Sequence, residues 1–554
     1  MSKLEDDAKL GHVEHREVVN DQLGTLQEPV SDITGTVKLA EESDTYLIPA
    51  PSADPRDPLN MSPWRKLMFV ALVSIFSSLG LSLVSGLGGL LTFYIPAYTA
   101  EGATYADITA LMTYPSMFMG IGNIISMPLA LAIGRRPVFL ASTLLLVVSA
   151  ILCGFADTYK WHYGARLVLG LAAGQSEALV PLMVQEIHFL HERSLMLMVQ
   201  SASQTILSAV LILCASPIAG AITPRYWYIL GAGIAALQGI LSIFFVPESR
   251  YSRPLSAYQG ESSGVQYGSG NREEADKAAW TPVTKATRPE LDFVNFEPRT
   301  VYSDMRLFVG KADWMEAWYT LKSMVQCLCF PNVMWAFCLN GLTIGVNVAI
   351  GTTYGAVIEA PPYNWSSDSA SYVNAGQIVT ALVALPLLGT GSDKIIKWRA
   401  RKNDGIHEPE NRLLPLVLPI LVGVLSAVIY GEACQHPEDY HWFALVFANA
   451  GYYFCFVGGN IAAITYLLDS YPARGGPMLV IICALRGFVS FGVSFGVADF
   501  IESSGYDGSF GTYGGLTGLF GLLGIVVFFT GKRIRAFTGR WTRSHDPTKP
   551  TMTH

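Results

Sequence analysis

About twelve long apolar runs recur along this chain of 554 residues and limit what it can fold into. Each run has roughly 18 to 27 residues, enough for a helix to cross a hydrocarbon core about 30 Å thick at 1.5 Å per residue. Only 15% of the residues are charged, whereas soluble globular proteins average about 25%. The pattern excludes an ordinary soluble enzyme and predicts an all-α membrane protein with about twelve transmembrane helices.

The runs form two groups of six, which predicts two six-helix bundles. The first six lie near residues 67–95, 107–133, 138–156, 163–187, 195–222 and 227–246. The second six lie near residues 331–358, 372–391, 413–430, 442–468, 478–500 and 513–530.

Polar composition divides the chain into five parts. Residues 1–64 lack hydrophobic periodicity and the apolar core of a signal peptide, so we expect a disordered cytosolic tail there. The two bundles occupy residues 65–247 and 330–531. A cytosolic linker rich in Ser, Gly, Glu and Arg occupies residues 248–329, and a second cytosolic tail occupies residues 532–554.

The end of the linker carries a stripe of apolar side chains at helical spacing: Trp314, Trp318, Leu321 and Val325. Charged residues lie on the other face. Two structures fit this pattern equally well, namely a helix lying in the membrane interface and an N-terminal extension of the seventh span.

Lys and Arg are concentrated in alternate loops, which determines the expected orientation. Because cytosolic loops carry the excess of these residues, both termini and the linker are expected in the cytosol, in a multi-pass protein of the plasma membrane. The loop from 358 to 372 has no Lys or Arg and contains the sequon Asn364-Trp365-Ser366. We therefore expect this loop outside the cell, with Asn364 as a candidate glycosylation site.

Several function classes find no support in the sequence. The net charge of −7 argues against nucleic-acid binding. His188, His191 and Glu192 form an H-x-x-H-E pattern, which does not match the spacings of zinc proteases. Most of the eight cysteines lie in apolar runs, where a thiol behaves as a small hydrophobe. The sequence predicts no metal, no cofactor and no enzyme activity.

Charges inside the apolar runs are the strongest functional signal, because each costs about 2.5 to 3.5 kcal/mol at the bilayer centre and usually marks a transport pathway. Glu177 lies near the middle of the fourth span, and Arg166, Gly170 and Gly174 share its helical face by spacing. A low dielectric favours the protonated form of a carboxylate. We predict that Glu177 and Arg166 couple transport to protons; the alternative is a structural ion pair.

Six further polar side chains in the spans are candidates for binding substrate in a central cavity: Gln204, Asn347, Tyr354, Tyr453, Asn460 and Arg486. A neutral polar side chain inside a membrane helix can instead form a hydrogen bond between helices. For Arg486, snorkelling of the side chain toward the membrane surface and pairing with the linker loops are equal alternatives.

Two loops carry versions of one signature at matching places in the two halves. The first reads GRRP from Gly134 to Pro137, and the second reads GTGSDK from Gly389 to Lys394. With these loops the sequence resembles the major facilitator superfamily. The resemblance assigns a conformational latch to Gly134, Arg135, Arg136, Gly389, Asp393 and Lys394. Leu131 stands where the family has Asp, so the second latch is expected to be the stronger one.

Other segments refine the resemblance. The fourth-span pattern from Arg166 to Gly170 is similar to a family motif whose Arg is associated with proton coupling. In the fifth span, SPIAGA keeps Pro217 and Gly220 of the antiporter motif. The motifs PES at Pro247, EPENRL and LDSYP look like those of fungal drug:proton antiporters of the twelve-helix class, including polyamine, organic-cation and secondary-metabolite carriers.

The resulting expectation is a secondary active transporter that works by alternating access in the lipid bilayer as a monomer. Its leading mechanism is proton-coupled efflux of an amphipathic or cationic small molecule, such as a drug, polyamine or secondary metabolite. Two alternatives stay open: proton-coupled uptake of a polyamine or nutrient, and a membrane sensor that does not transport.

Overall fold

Twelve helical segments in the described part of the computed structural model are long and apolar enough to cross a membrane. The structure describes residues 37–38, 47, 49–251, 253, 261–263, 280–282, 288–391, 394–395, 398–399, 406–471 and 475–542. The spanning segments, labelled α1 to α12 in chain order, are Pro63–Gly89, Tyr105–Ile133, Arg135–Gly154, Tyr159–Glu186, Leu195–Ala221, Pro224–Phe245, Pro331–Glu359, Ser367–Leu388, Pro409–Gln435, Phe443–Ser470, Met478–Phe495 and Val497–Thr538.

Local sequence explains where several of these helices begin. Thr104 and Asp107 form a capping box at the start of α2, in which each side chain accepts the backbone N–H of the other. Pro224 and Pro331 occupy the first turn of α6 and α7. A proline costs little at this position, because the first N–H groups of a helix have no partner within the helix.

The prediction of twelve spans in an all-α fold is confirmed, with shifted bounds. A 3₁₀ turn, Gly86–Gly89, ends α1, so Ile95 belongs to a separate helix, Leu91–Ala100. The stretch labelled α12 contains two helices that meet at Gly505, whose φ of 74° is not helical, so the second of them begins after Gly505, nearer the predicted residue 513. Glycine tolerates that left-handed conformation.

The two halves approach each other closely where α2 packs on α11. Gly120 faces the backbone oxygen of Ala484, and Gly487 faces the backbone oxygen of Ser116. A Cβ at either glycine would collide with the neighbouring backbone, so the contact depends on both small residues, as is usual between membrane helices.

Part of the predicted tail is packed against the loop after α4 and the segment before α9. Leu47, Ala50 and Leu59 form a small apolar cluster with Phe189. Short strands also pair Val37–Lys38 with Ile406–His407 and Glu261–Ser263 with Trp280–Pro282. This packing differs from the disorder expected for residues 47–60, while the bounds of the five parts stay predictions.

Asp57 connects the segment of residues 47–60 to the linker through an ion pair. Its carboxylate is fully buried and pairs with Arg253. The Ser52 hydroxyl and backbone N–H both donate to one of its oxygens, each at 2.9 Å. The end of the molecule that contains these contacts is called the linker end below.

The apolar stripe in the linker forms a helix of its own, Trp314–Leu328, rather than an extension of α7. Phe330 has extended backbone angles, and α7 begins at the next residue. The helix packs against α2 and α11. Trp314, Trp318 and Val325 are exposed, which suits a membrane interface, and that location stays a prediction.

Candidate functional site: a cavity between the two halves

A cavity of about 370 Å³ lies between the halves and extends to the linker end. All six predicted substrate candidates line it, and so does Glu177. The first half contributes Glu177 from α4 and Gln204 from α5. Charged side chains are rare in the described lining: Glu177, Arg412 and Arg486.

Glu177 and Arg486 form an ion pair that joins α4 of the first half to α11 of the second. Arg486 donates from both Nε and Nη2 to the same carboxylate oxygen, Oε2 of Glu177, with an Nε distance of 3.1 Å. Its Nη1 donates to Oδ1 of Asn460 at 2.6 Å. Each nitrogen of the guanidinium thus has one acceptor, and the Arg486 side chain is only 3% exposed.

The other carboxylate oxygen of Glu177, Oε1, has no hydrogen-bond partner among the residues that the structure describes. The Glu177 side chain is 12% exposed, more than that of Arg486, and it lines the cavity. A molecule in the cavity therefore meets an acceptor oxygen before it can reach the cation behind it.

Arg166 does not pair with Glu177, although sequence spacing put them on one face. Its Nε donates to the backbone oxygen of Leu111 at 2.6 Å, and its Nη1 and Nη2 donate to those of Leu83 and Val84 at 3.2 and 2.7 Å. Eleven residues separate Arg166 from Glu177, so even on one face of a regular helix they lie about 16 Å apart along the axis. The fully buried guanidinium thus ties α4 to α1 and α2.

A buried chain of hydrogen bonds continues from Arg166. Its Nη1 donates to the Tyr228 hydroxyl at 2.7 Å, and that hydroxyl lies 3.1 Å from Nε2 of His162. Nδ1 of His162 lies 2.9 Å from the Tyr98 hydroxyl. The chain therefore links Arg166 to Tyr98 through the two ring nitrogens of His162.

A cluster of four neutral polar side chains lies in the second half, and we call it the amide station. Nδ2 of Asn374 donates to the Tyr354 hydroxyl at 2.9 Å, and Nδ2 of Asn449 donates to Oδ1 of Asn374 at 3.0 Å. Nε2 of Gln377 donates to Oδ1 of both Asn374 and Asn449 at 3.2 and 3.3 Å. All four side chains line the cavity. Asn374 and Asn449 were missed by sequence reasoning, although a polar amide in an apolar run was the available signal.

Contacts between the halves close the cavity at the end opposite the linker. The backbone N–H of Ser216 donates to the hydroxyl of Ser371 at 3.1 Å, and the N–H of Ser371 donates to the hydroxyl of Ser216 at 2.8 Å. Gly88 lies directly against the backbone oxygen of Gly351. Ser216 directly precedes Pro217 of the predicted antiporter motif. Sequence alone gave no signal for its partner.

Gly220, the glycine that the chain keeps from that motif, also lies at this contact. A Cβ added there would overlap the carboxylate of Asp368 in α8. The motif residues Pro217 and Gly220 are thus placed where α5 meets the second half, and their assignment to antiport stays a prediction.

The first predicted latch forms a charge cluster within the first half. Arg135 donates from Nε and Nη2 to Oε1 of Glu186 at 2.9 and 2.7 Å. The backbone N–H groups of Arg135 and Arg136 donate to the two oxygens of Glu248 at 2.9 and 3.1 Å. Gly134 has a φ of 119°, and a Cβ there would collide with Glu248. Burial raises the pKa of the Glu248 carboxyl.

The second predicted latch is only partly visible. Asp393 lies outside the described residues, whereas Gly389 falls in a π-helical turn at the end of α8 and Lys394 is exposed. That the second latch is stronger than the first therefore stays a prediction. Nearby, Arg535 donates to both oxygens of Glu410 at 2.8 and 2.7 Å, a buried pair that joins α12 to α9.

Comparison with known proteins identifies the family. The model of the Major Facilitator Superfamily matches residues 70–476, which is most of the chain. The chain belongs to the major facilitator superfamily. The sequence-based assignment to this family and to transporters rather than enzymes is therefore confirmed, and the protein is a secondary transporter by family.

Two fungal relatives align with nearly the whole length of this chain. Protein HOL1 of Saccharomyces cerevisiae is 24% identical over 567 residues, which cover 90% of this chain and 92% of the relative. An uncharacterized MFS-type transporter of Schizosaccharomyces pombe is 22% identical over 538 residues, with 91% and 90% covered.

Solved structures of the superfamily share the fold. The proton:xylose symporter XylE superimposes with a TM-score of 0.56 at 13% identity, covering 86% of this chain and 100% of XylE. This likeness supports the architecture of two six-helix bundles.

Proposed function

We propose that this transporter is a proton-coupled exporter of an amphipathic or cationic small molecule. The observation that carries the proposal is the ion pair of Glu177 and Arg486, which leaves one carboxylate oxygen facing the cavity. A proton and the N–H group of an amine compete for that oxygen. Because the oxygen binds either the proton or the amine, release of one allows the other to bind. Antiport requires this exchange.

The position of the pair links this exchange to movement of the halves. Glu177 belongs to the first half and Arg486 to the second, so rocking of the bundles must alter their contact. Protonation of Glu177 would weaken the attraction and ease that movement. Substrate that reaches the cavity from the linker end would then be released at the opposite end.

The proposed topology places the open end of the cavity in the cytosol. With the linker end in the cytosol, the cavity of the described conformation extends toward the cytosol and is closed on the outside by Ser216 and Ser371. We place the transporter in the plasma membrane, as a monomer with both termini inside. The partial antiporter motif at Pro217 and Gly220 supports export.

The experiment uses the full-length transporter in proteoliposomes with an acidic interior and a fluorescent amine outside. Antiport predicts accumulation above that of protein-free liposomes, which a protonophore abolishes. Glu177→Gln should abolish proton-driven accumulation and preserve exchange of the amine down its own gradient. Normal uphill transport by this variant would contradict the assignment.

Two controls keep the result interpretable. Glu438→Gln changes an exposed carboxylate that does not line the cavity, and its transport should match the unmodified protein. The double variant Glu177→Gln with Arg486→Gln removes both buried charges, so it reports whether an unpaired Arg486 alone causes the defect.

The same liposomes separate the alternatives. Proton symport, the mechanism named for XylE, would give accumulation with an acidic exterior instead of an acidic interior. A sensor would bind the amine without supporting counterflow.

A further inference from the structure

Two polar sites lie on one face of α10 and are separated by three helical turns. Asn449 belongs to the amide station, and Asn460 holds the guanidinium that pairs with Glu177. Eleven residues separate them in one continuous helix, Phe443–Ser470. At 1.5 Å and 100° per residue they lie about 16 Å apart along the axis and nearly in line.

Apolar side chains cover part of the wall between the two sites. Phe456 and Val457 on α10 line the cavity between them, and Ile344 and Val348 line it from α7. Tyr453 and Asn347 line the same stretch, so only the part of a substrate that packs against the four apolar side chains must be apolar, because an unpaired polar group there would lose its hydrogen bonds to water.

The charged site accepts a cation rather than an anion. Each of the three nitrogens of Arg486 already donates to Glu177 or Asn460, and the side chain is only 3% exposed, so an anion would compete with Glu177 for it. A cation at Oε1 of Glu177 meets no such competition. A protonated amine can donate to it directly, and such a charge-assisted bond is stronger than a neutral one.

The amide station has different chemistry, because its four side chains are neutral. The Tyr354 hydroxyl accepts from Asn374 and has its own proton left to donate. Gln377 donates from Nε2 to the two asparagines of the station. Among the residues that the structure describes, none donates a hydrogen bond to Oε1 of Gln377. One donor and one acceptor remain for a ligand, which suits a hydroxyl or an amide. A second ammonium would find no carboxylate here.

We propose that the substrate is an elongated monoamine whose far end carries a neutral hydroxyl or amide group. The amine binds at Glu177, the neutral group binds at the amide station, and the apolar middle lies along α10. This inference rests on the proposed function for its amine site, and it discriminates against molecules with an ammonium group at both ends.

The test measures equilibrium binding of three matched series to the purified full-length transporter by calorimetry. The probes are ω-amino alcohols, α,ω-diamines and plain alkylamines, each with spacers from butylene to dodecylene. For the longer spacers we expect the amino alcohol to bind about threefold to tenfold more tightly than the alkylamine of equal length, the gain of one neutral hydrogen bond. The diamine should bind more weakly than the amino alcohol.

Two substitutions test the amide station separately. Tyr354→Phe removes one hydroxyl and should abolish the preference for the amino alcohol while leaving the affinity for the plain alkylamine unchanged. Gln377→Leu should do the same from the acceptor side. Tyr226→Phe, at an exposed tyrosine outside the cavity lining, is the matched control and should keep the preference.

Either of two results would overturn the inference: diamines that bind more tightly than amino alcohols at every spacer length, or an amino-alcohol preference that survives both substitutions. Its failure differs from failure of the proposed function. Proton-driven export of diamines would refute the inference alone, whereas the predicted binding pattern without any transport in proteoliposomes would refute the proposed function alone.

Discussion

Ser216 and Ser371 exchange hydrogen bonds across the two halves, each hydroxyl accepting the backbone N–H of the other at 3.1 and 2.8 Å. Both serines are fully buried. In alternating access the halves must separate at this end, so the bonds form in one state and break in the other. Neighbouring glycines allow the backbones to come close enough for the exchange.

The first prediction concerns Gly88. Gly88→Ala should shift the transporter toward the state that is open at the end opposite the linker, because the added Cβ would lie 2.7 Å from the backbone oxygen of Gly351. Backbone cannot rotate away as a side chain can. A cysteine replacing Ser208, which lines the cavity, should react several-fold faster with an impermeant thiol reagent applied from that end.

Gly233→Ala is the control for this experiment, since a Cβ at Gly233 meets no atom within 4 Å. It should leave the labelling rate unchanged. Equal labelling of the Gly88→Ala protein and the unmodified protein would show that this contact does not hold the halves together.

Sequence predicted the helices well because a membrane span requires a length and an apolar composition that are both visible locally. It also singled out Glu177, Asn347 and Asn460, which line the cavity, because buried polar groups in membrane helices are costly and face the interior; their roles stay predictions. These inferences need no knowledge of how one helix packs on another.

The partners of the charges could not be predicted in the same way. Arg486 lies 309 positions after Glu177, and their contact depends on how α11 packs against α4. Helical spacing put Arg166 on the face of Glu177, but a shared face does not make a contact when eleven residues, or about 16 Å along the axis, lie between the two side chains. Backbone oxygens, which have no sequence signature, are the main partners of Arg166.

A second prediction follows for Arg166. Arg166→Lys should lower the free energy of unfolding by on the order of 3 kcal/mol, because a lysine cannot hold three backbone oxygens and the Tyr228 hydroxyl at once. Thermal unfolding in detergent measures the loss. Arg225→Lys, at an exposed ion pair with Asp157, should change stability by less than about 1 kcal/mol.

The same variant tests whether Arg166 is a proton-coupling residue. If its role is to hold α1, α2 and α4 together, the folded fraction of Arg166→Lys should keep the pH dependence of transport. A displaced pH profile at normal stability would restore the coupling role that the sequence suggested.

A third prediction concerns residues 358–372, which end in the first turns of α8. Cysteine at Ser367 should react with an impermeant reagent in intact cells, because the loop without Lys or Arg is expected outside. Cysteine at Lys394, beyond the other end of α8, should react only after permeabilisation. Reversed labelling of the two positions would overturn the topology. Loss of a glycan from the Asn364→Gln protein would give an independent measure of the same orientation.

The last prediction uses the buried carboxylate of the first latch. Burial is the main cause that raises the pKa of Glu248 above its ordinary 4.5, and nearby Glu186 adds to it, while Arg135 and the N–H groups of Arg135 and Arg250 oppose the shift. A carboxyl whose pKa is higher in the folded state binds more protons folded than unfolded. Its contribution to stability is therefore complete below about pH 4.5 and is lost as the pH rises through the raised value.

Thermal unfolding of the unmodified protein and of Glu248→Gln, measured side by side from pH 4 upward, checks that sign. The stability of the unmodified protein relative to the variant should fall with rising pH, by at most about 1.4 kcal/mol per pH unit. Glu297→Gln, at an exposed carboxylate paired with Arg56, controls for the introduced amide. A relative stability that rises with pH would mean that the hydrogen bonds from Arg135 and Arg136 outweigh burial, and that the latch is held by an ionised Glu248.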